Sequence, residues 1–185
     1  MLPQEIAPPQ TDESPVIIET HDLSRIYPGV VALDNVNYRV YRNKVNVLIG
    51  ENGAGKSTMM KMLAGVETPS SGKIILDGKE VTLNSTHQAE KHGISIIFQE
   101  LNLFPNMNVM DNIFMANEFF QKGKINEKYQ YELAKSLLER LELNVDPYTQ
   151  LGELGIGHQQ LVEIARALSK DTRVLIMDEP TSALS

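Results

Sequence analysis

VNVLIGENGAGKST, Val45 to Thr58, is a short apolar run that breaks into three glycines and then opens a segment of helical periodicity. The apolar part predicts a strand over Val45–Ile49, and Met59–Val66 predicts a helix stopped near Gly65 and Pro69. Between them, Gly50, Gly53 and Gly55 let the backbone curl so that successive N–H groups converge on phosphate oxygens. The helix start adds unpaired donors and the positive end of its dipole. Lys56 is long enough to reach the β and γ phosphates, and the Ser57 hydroxyl suits Mg²⁺. A plain glycine turn with a solvated lysine is the competing reading. The spacing from Gly50 to Ser57 arises by chance with a probability of roughly 1% in such a chain, given glycine usage of about 7%.

Length and composition bound the rest. A chain of 185 residues suffices for one domain with a real core. A hydrophobic content of 42% with 22% charged residues is that of a globular protein. No apolar run approaches a membrane span, and no signal peptide is indicated. The absence of cysteine excludes disulfides and thiol-based sites. A net charge of -7 with no basic stripe argues against a nucleic-acid partner. His21, His87, His92 and His158 have no metal-ligand spacing.

Residues 1–15 carry Pro3, Pro8, Pro9 and Pro15 among polar residues and are expected to be a disordered leader before a domain over 16–185. Val16–Glu19, Val36–Val40, Lys73–Asp77 and Val81–Leu83 predict strands, with turns at Pro28-Gly29, Arg42-Asn43 and Asp77-Gly78. Neighbouring strands ahead of the glycine loop imply an added antiparallel sheet. His87–His92 predicts a short helix and Ile94–Phe98 a buried strand. Met107–Phe120 and Lys128–Leu143 read as helices, the second with Leu133, Leu137, Leu138 and Leu141 on one side. Residues 100–167 are therefore expected to form a helical subdomain, whose apolar stripe is read as packing. Gly157–Leu168 predicts another helix and Arg173–Met177 a strand.

That last strand ends in Asp178-Glu179. Ligands of open α/β sheets bind at the carboxyl edge, where Asp178 is placed to hold Mg²⁺ through water and Glu179 to orient an attacking water. An isolated acidic pair would be merely solvated; a phosphate loop in the same chain favours the functional reading. Gln99 follows Ile94–Phe98, where its amide would sense Mg²⁺ or water, though a glutamine at a strand end is ordinary. Tyr27 is able to stack on a purine, and equally to pack as a plain aromatic.

Together, GENGAGKST and IMDEPTSAL resemble the nucleotide-binding subunit of ABC transporters. More narrowly, the chain is similar to the first cassette of duplicated-cassette ATPases that energise bacterial import of ribose-like sugars and polyols. The resemblance implies an α/β fold: a P-loop NTPase core with an N-terminal antiparallel β-subdomain and a helical subdomain, incomplete at its C-terminus because family members continue to further strands and a switch histidine. It implies ATP as cofactor at Gly50, Glu51, Asn52, Gly53, Ala54, Gly55, Lys56, Ser57 and Thr58, with Tyr27 stacking on adenine. It implies Mg²⁺ at Ser57, Gln99 and Asp178, and catalysis by Glu179, Lys56 and Gln99. Ser182–Leu184 matches the start of the loop that crosses the cassette dimer.

The same resemblance gives the partners: a second ATP-binding cassette, transmembrane permease subunits and, indirectly, a periplasmic sugar-binding protein. It places the chain at the cytoplasmic face of the bacterial inner membrane, with any sugar bound elsewhere. The family's signature loop, which acts on the nucleotide of the opposing cassette, falls on Leu154, Gly155, Ile156, Gly157 and His158. Here Gly155 replaces the family's serine and His158 its usual glutamine. The missing hydroxyl removes one charge-assisted hydrogen bond, a class worth about 1.5–3 kcal/mol. Two other classes compete: a soluble ATPase of the same superfamily in translation or DNA repair, disfavoured by the acidic charge and the Gln99 segment, and an inactive nucleotide-binding fragment.

Overall fold

The structure is a computed structural model that describes residues 15–178. Residues 1–14 of the leader expected over 1–15, Glu179 and Ser182–Leu184 lie outside the described residues. The chain divides into two compact units, one built from the stretch to Lys56 with Pro69–Thr82, the other from Ser57–Thr68 with the stretch from Leu83.

The first unit is an antiparallel sheet in the order β2-β1-β3-β4, from β1 (Val16–Tyr27), β2 (Val30–Tyr41), β3 (Ser71–Leu76) and β4 (Lys79–Val81). The Pro28-Gly29 turn sets Tyr27 opposite Val30, and Ile18 pairs with Val40 on one side and Leu76 on the other. Asp77 and Gly78, with φ of 50° and 74°, make the expected two-residue hairpin turn. Ile17, Ile18, Leu23, Ile74 and Leu76 are its buried apolar residues. Both of the pairings of β1 shift register around Asp22, whose φ is 48°. The Thr20 hydroxyl mends the ladder there, donating to Val36 O and accepting from Tyr38 N. Gly72 is required at this bulge, because a Cβ would stand 2.4 Å from the Asp22 carbonyl oxygen.

The strand expected over Val45–Ile49 does not form. The Asn46 amide closes a loop on Tyr41, accepting from its N–H and donating to its carbonyl. Beyond it Val45, Val47 and Ile49 are exposed, and the segment joins no ladder among the described residues. Apolar alternation records extension, but a strand also needs a hydrogen-bonded neighbour.

In the second unit β5 (Ile94–Ile97) and β8 (Val174–Met177) pair in parallel, Ile94 opposite Val174 and Ile97 opposite Met177. Both are mainly apolar, with Ile94, Ile97 and Ile176 buried. Helix α1 (Lys56–Leu63) enters this unit from the glycine loop, and α2 (Thr86–Lys91) is capped by the Ser85 hydroxyl. Helix α3 is only Val109–Phe114, not the expected Met107–Phe120. Asn108 caps it by accepting from Asp111 N, and Met115 leaves helical geometry at ψ 127°. Phe120, at the end of the expected helix, belongs instead to a hairpin, β6 (Phe120–Gln121) and β7 (Lys124–Ile125), turning on Lys122 and Gly123 with positive φ. Helices α4 (Glu127–Arg140) and α5 (Ile156–Leu168) follow. Val109, Ile113, Phe114, Ala134, Leu137, Leu138, Leu151, Val162 and Ala165 make one core shared by α3, α4 and α5. No helix among the described residues is long and apolar enough to cross a membrane.

Candidate functional site

The glycine loop curls as its composition requires. Gly53 and Gly55 take φ of 83° and 85°. At Gly55 a Cβ would lie 2.5 Å from the Ala32 carbonyl and 2.7 Å from Leu33 Cδ2, so any side chain breaks the approach of this loop to β2. Lys56 folds back over the loop, its Nζ donating to Gly50 O at 2.8 Å and Glu51 O at 2.9 Å, while Ala54 N donates to Glu51 O. The ammonium is thus held over the loop by two backbone carbonyls, where an anion would have to displace them to reach it. In the same unit, Tyr27 ends β1 with the Arg25 guanidinium 4.8 Å from its ring centroid, a cation–π contact.

In the second unit the Ser57 hydroxyl donates to Asp178 Oδ1 at 3.2 Å, across 121 residues of sequence. Asp178 N donates to Ile97 O, so β5 and β8 are tied to their ends. Because they are parallel, Gln99 and Asp178 leave from the same carboxyl edge. Ser57 Oγ and Asp178 offer two hard oxygens, the donor type that Mg²⁺ accepts while keeping waters. Among the described residues no group of three His, Cys, Asp or Glu side chains is placed to hold a metal by itself. The expected ligands thus fit an ion shared with phosphate oxygens.

The residues from Leu154 to His158 open helix α5. Leu154 packs on the shared core, and its carbonyl accepts from Gln159 Nε2 at 2.8 Å. Gly155 occupies the N-cap with no side-chain cap bond, its carbonyl taking the His158 and Gln159 amides. Ile156 is exposed, whereas Gly157 and His158 line a cavity of about 430 Å³ together with Gln99 and Met177. A Cβ on Gly155 meets nothing within 4 Å. Gly155→Ser is therefore expected to add a capping bond and stabilise the chain by a few tenths of a kcal/mol, about the increment between glycine and serine caps. Thermal melting checks this, with Gly155→Ala expected to lower the midpoint instead.

Three residues that the sequence did not single out tie the second unit together internally. Asn112 of α3 is fully buried, accepts from Phe104 N and donates to Phe104 O and Asn108 O. Glu163 and Arg166 of α5 reach the peptide of Asn102: Asn102 N donates to Glu163 Oε1 at 3.4 Å, and Arg166 Nη1 donates to Asn102 O at 2.9 Å. The signal that would have found them is a polar residue at a buried position of an apolar helical pattern.

Glu163 is 7% exposed and its Oε2 has no hydrogen-bond partner among the described residues. Burial raises its carboxyl above the ordinary 4.5, against the Asn102 amide and the Arg166 charge, which lower it. Glu90 and Lys170, paired with each other, line the cavity on one side of it, and His158 lines the cavity on the other. A carboxyl with a raised folded pKa binds more protons folded than unfolded, so stability is lost as pH rises from the 4.5 of the unfolded chain through the folded value. Glu163→Gln should accordingly raise the melting midpoint at neutral pH, with a gain that shrinks as the pH falls toward the ordinary carboxylate range. Midpoints measured across that range check the sign.

The profile of the ABC transporter family matches residues 33–182. The chain is 49% identical over 174 residues to the xylose import ATP-binding protein of Thermoanaerobacter pseudethanolicus, covering 93% of this chain and 34% of that one. It is 46% identical over 169 residues to a ribose import ATP-binding protein of Streptomyces coelicolor, covering 91% and 33%. The chain thus spans about a third of the length of the curated relatives it matches. Among solved structures, an ATP-binding cassette of an ABC transporter in its ADP conformation superposes with a TM-score of 0.78 at 26% identity, over 93% of this chain and 72% of that one. A cassette of Clostridium perfringens, part of an ABC transporter complex, gives 0.77 at 30% identity, over 94% and 68%.

Proposed function

The chain belongs to the ABC transporter family, and from that premise we propose that it is an ATP-binding cassette whose nucleotide cycle powers import of a sugar or polyol. The observation that carries the reading is the Ser57–Asp178 contact, because it joins the hydroxyl after the phosphate-loop lysine to the carboxylate at the edge of a buried strand. The sugar assignment rests on the relatives, which are named for import of xylose and ribose.

In this reading the N–H groups of Gly50–Thr58 receive the phosphates, Lys56 neutralises the β and γ oxygens, and Tyr27 stacks on adenine. Ser57, Asp178 and Gln99 would hold Mg²⁺, which would offset charge on the phosphate oxygens. Glu179 orients the water that attacks the γ-phosphoryl group, the Pγ–O bond to the leaving diphosphate breaks, and ADP and phosphate are released. Leu154–His158 face the nucleotide of a second cassette, and residues 100–167, as a helical subdomain, meet transmembrane permease subunits at the cytoplasmic face of the membrane. A periplasmic sugar-binding protein delivers the substrate.

Calorimetric titration of the 185-residue chain with ATP tests the core of this. Binding is expected with Mg²⁺ and at least about tenfold weaker in EDTA, the loss of one strong ionic contact. Ribose and xylose are expected to give no heat. Absence of ATP binding in both buffers would overturn the assignment.

A further inference from the structure

Gln99 sits in a span tied at both ends. Upstream, Ile97 closes β5 and is held by the amide of Asp178. Downstream, the Asn102 peptide is gripped on both its polar groups by Glu163 and Arg166, three residues apart and so on one face of α5. The Asn102 side chain donates to Glu100 O, drawing the intervening turn together. Only three peptide links separate Gln99 from Asn102, about 10 Å at full extension. Helix α5 carries Gly157 and His158 in its first turn, against the cavity that Gln99 also lines, and the grip in its second and third turns.

A residue whose work was only to seat α5 against the core would be apolar. Glu163 instead buries a carboxylate oxygen that has no partner among the described residues, a costly arrangement, and commits its other oxygen to a peptide in the Gln99 span. We propose that Glu163, with Arg166, is a positioning residue that couples the Gln99 segment to the signature helix α5, so that the two move together when nucleotide binds. Glu163 touches no nucleotide; it acts through Asn102. The inference rests on the reading of Gln99 as a nucleotide-site residue.

Hydrogen exchange of the full chain, without ligand and with Mg²⁺ and a non-hydrolysable ATP analogue, tests it. Without ligand, Glu163→Ala is expected to speed exchange at the Asn102 amide about tenfold, the loss of a hydrogen bond to a charged acceptor, while α5 and β5 keep their protection. Glu163→Gln, which keeps an acceptor oxygen, should stay within about threefold of wild type. Adding the analogue should change exchange in 99–104 and in 156–166 together in the wild-type chain and Glu163→Gln, but only in 99–104 in Glu163→Ala. A merely structural role moves stability without uncoupling the two segments. Asn102 exchange unchanged in Glu163→Ala, or independent responses of the two segments already in the wild type, would overturn the proposal. If Glu163→Ala does not fold, Arg166→Ala opens the other side of the same grip and is held to the same criteria. If the analogue does not bind, the nucleotide reading fails, while the unliganded comparison still decides whether the grip exists.

Discussion

Lys56→Ala weakens Mg²⁺-ATP binding by about a hundredfold or more, out of range of a calorimetric titration that registers the wild-type chain. The size follows from what the ammonium can do once phosphate arrives. It leaves two neutral carbonyls, Gly50 O and Glu51 O, for phosphate oxygens. Two charge-assisted hydrogen bonds at about 1.5–3 kcal/mol each cover that factor. The same variant is nearly silent in stability, because the hydrogen bonds of the lysine head among the described residues go to two carbonyls of an exposed loop. Lys56→Ala with a wild-type melting midpoint and no binding is the expected pair of results. Retained affinity would mean that the loop amides alone hold the nucleotide. Gly55→Ala is the complementary case, since its Cβ meets backbone at 2.5 Å at a φ of 85° and the loop itself is lost.

Much of the site was legible because its residues carry their chemistry locally. The spacing from Gly50 to Ser57 predicts a tightly curled loop, which Gly53 and Gly55 make with positive φ, and an apolar run that ends in acid predicts Asp178 at a strand end, where β8 puts it. The Ser57–Asp178 contact then joins in space what the chain carries as two separate motifs. Resemblance supplied what the residues alone left open, the family itself, and the match over residues 33–182 bears it out.

What escaped the sequence depends on partners far along the chain. Val45–Ile49 has the alternation of a strand, yet a ladder is a property of two segments and the loop closed by Asn46 precludes pairing with β2. Met107–Phe120 has helical periodicity, but Asn108 and Met115 set the ends of α3, and beyond it Phe119 packs on Phe114 while Phe120 pairs in a hairpin. Glu163 reads as an interruption in an apolar helix face until Asn102, 61 residues away, is brought to it. Periodicity reports which face is covered; it does not report what covers it.

Phe114→Ala is expected to cost about 4 kcal/mol, the usual effect of emptying a fully buried phenylalanine site, against total stabilities of about 5–15 kcal/mol for a domain. Phe114 has no exposed surface and meets Phe119 edge to face at 5.7 Å, which in turn meets Tyr129 of α4 at 5.0 Å. The ring therefore joins the end of α3 to α4 through an aromatic chain, and the core it fills includes Val162 and Ala165 of α5. Those two residues flank Glu163, so a cavity at Phe114 loosens the helix from which Asn102 is held. The melting midpoint should fall by roughly 10 °C, and exchange at Asn102 should rise with that of α5 as a whole. Phe114→Leu, which keeps most of the volume, should cost less than about 1.5 kcal/mol and leave Asn102 protected. A small effect of the alanine variant would mean that α3, α4 and α5 do not share one cooperative core, and the grip on Asn102 would then need another support.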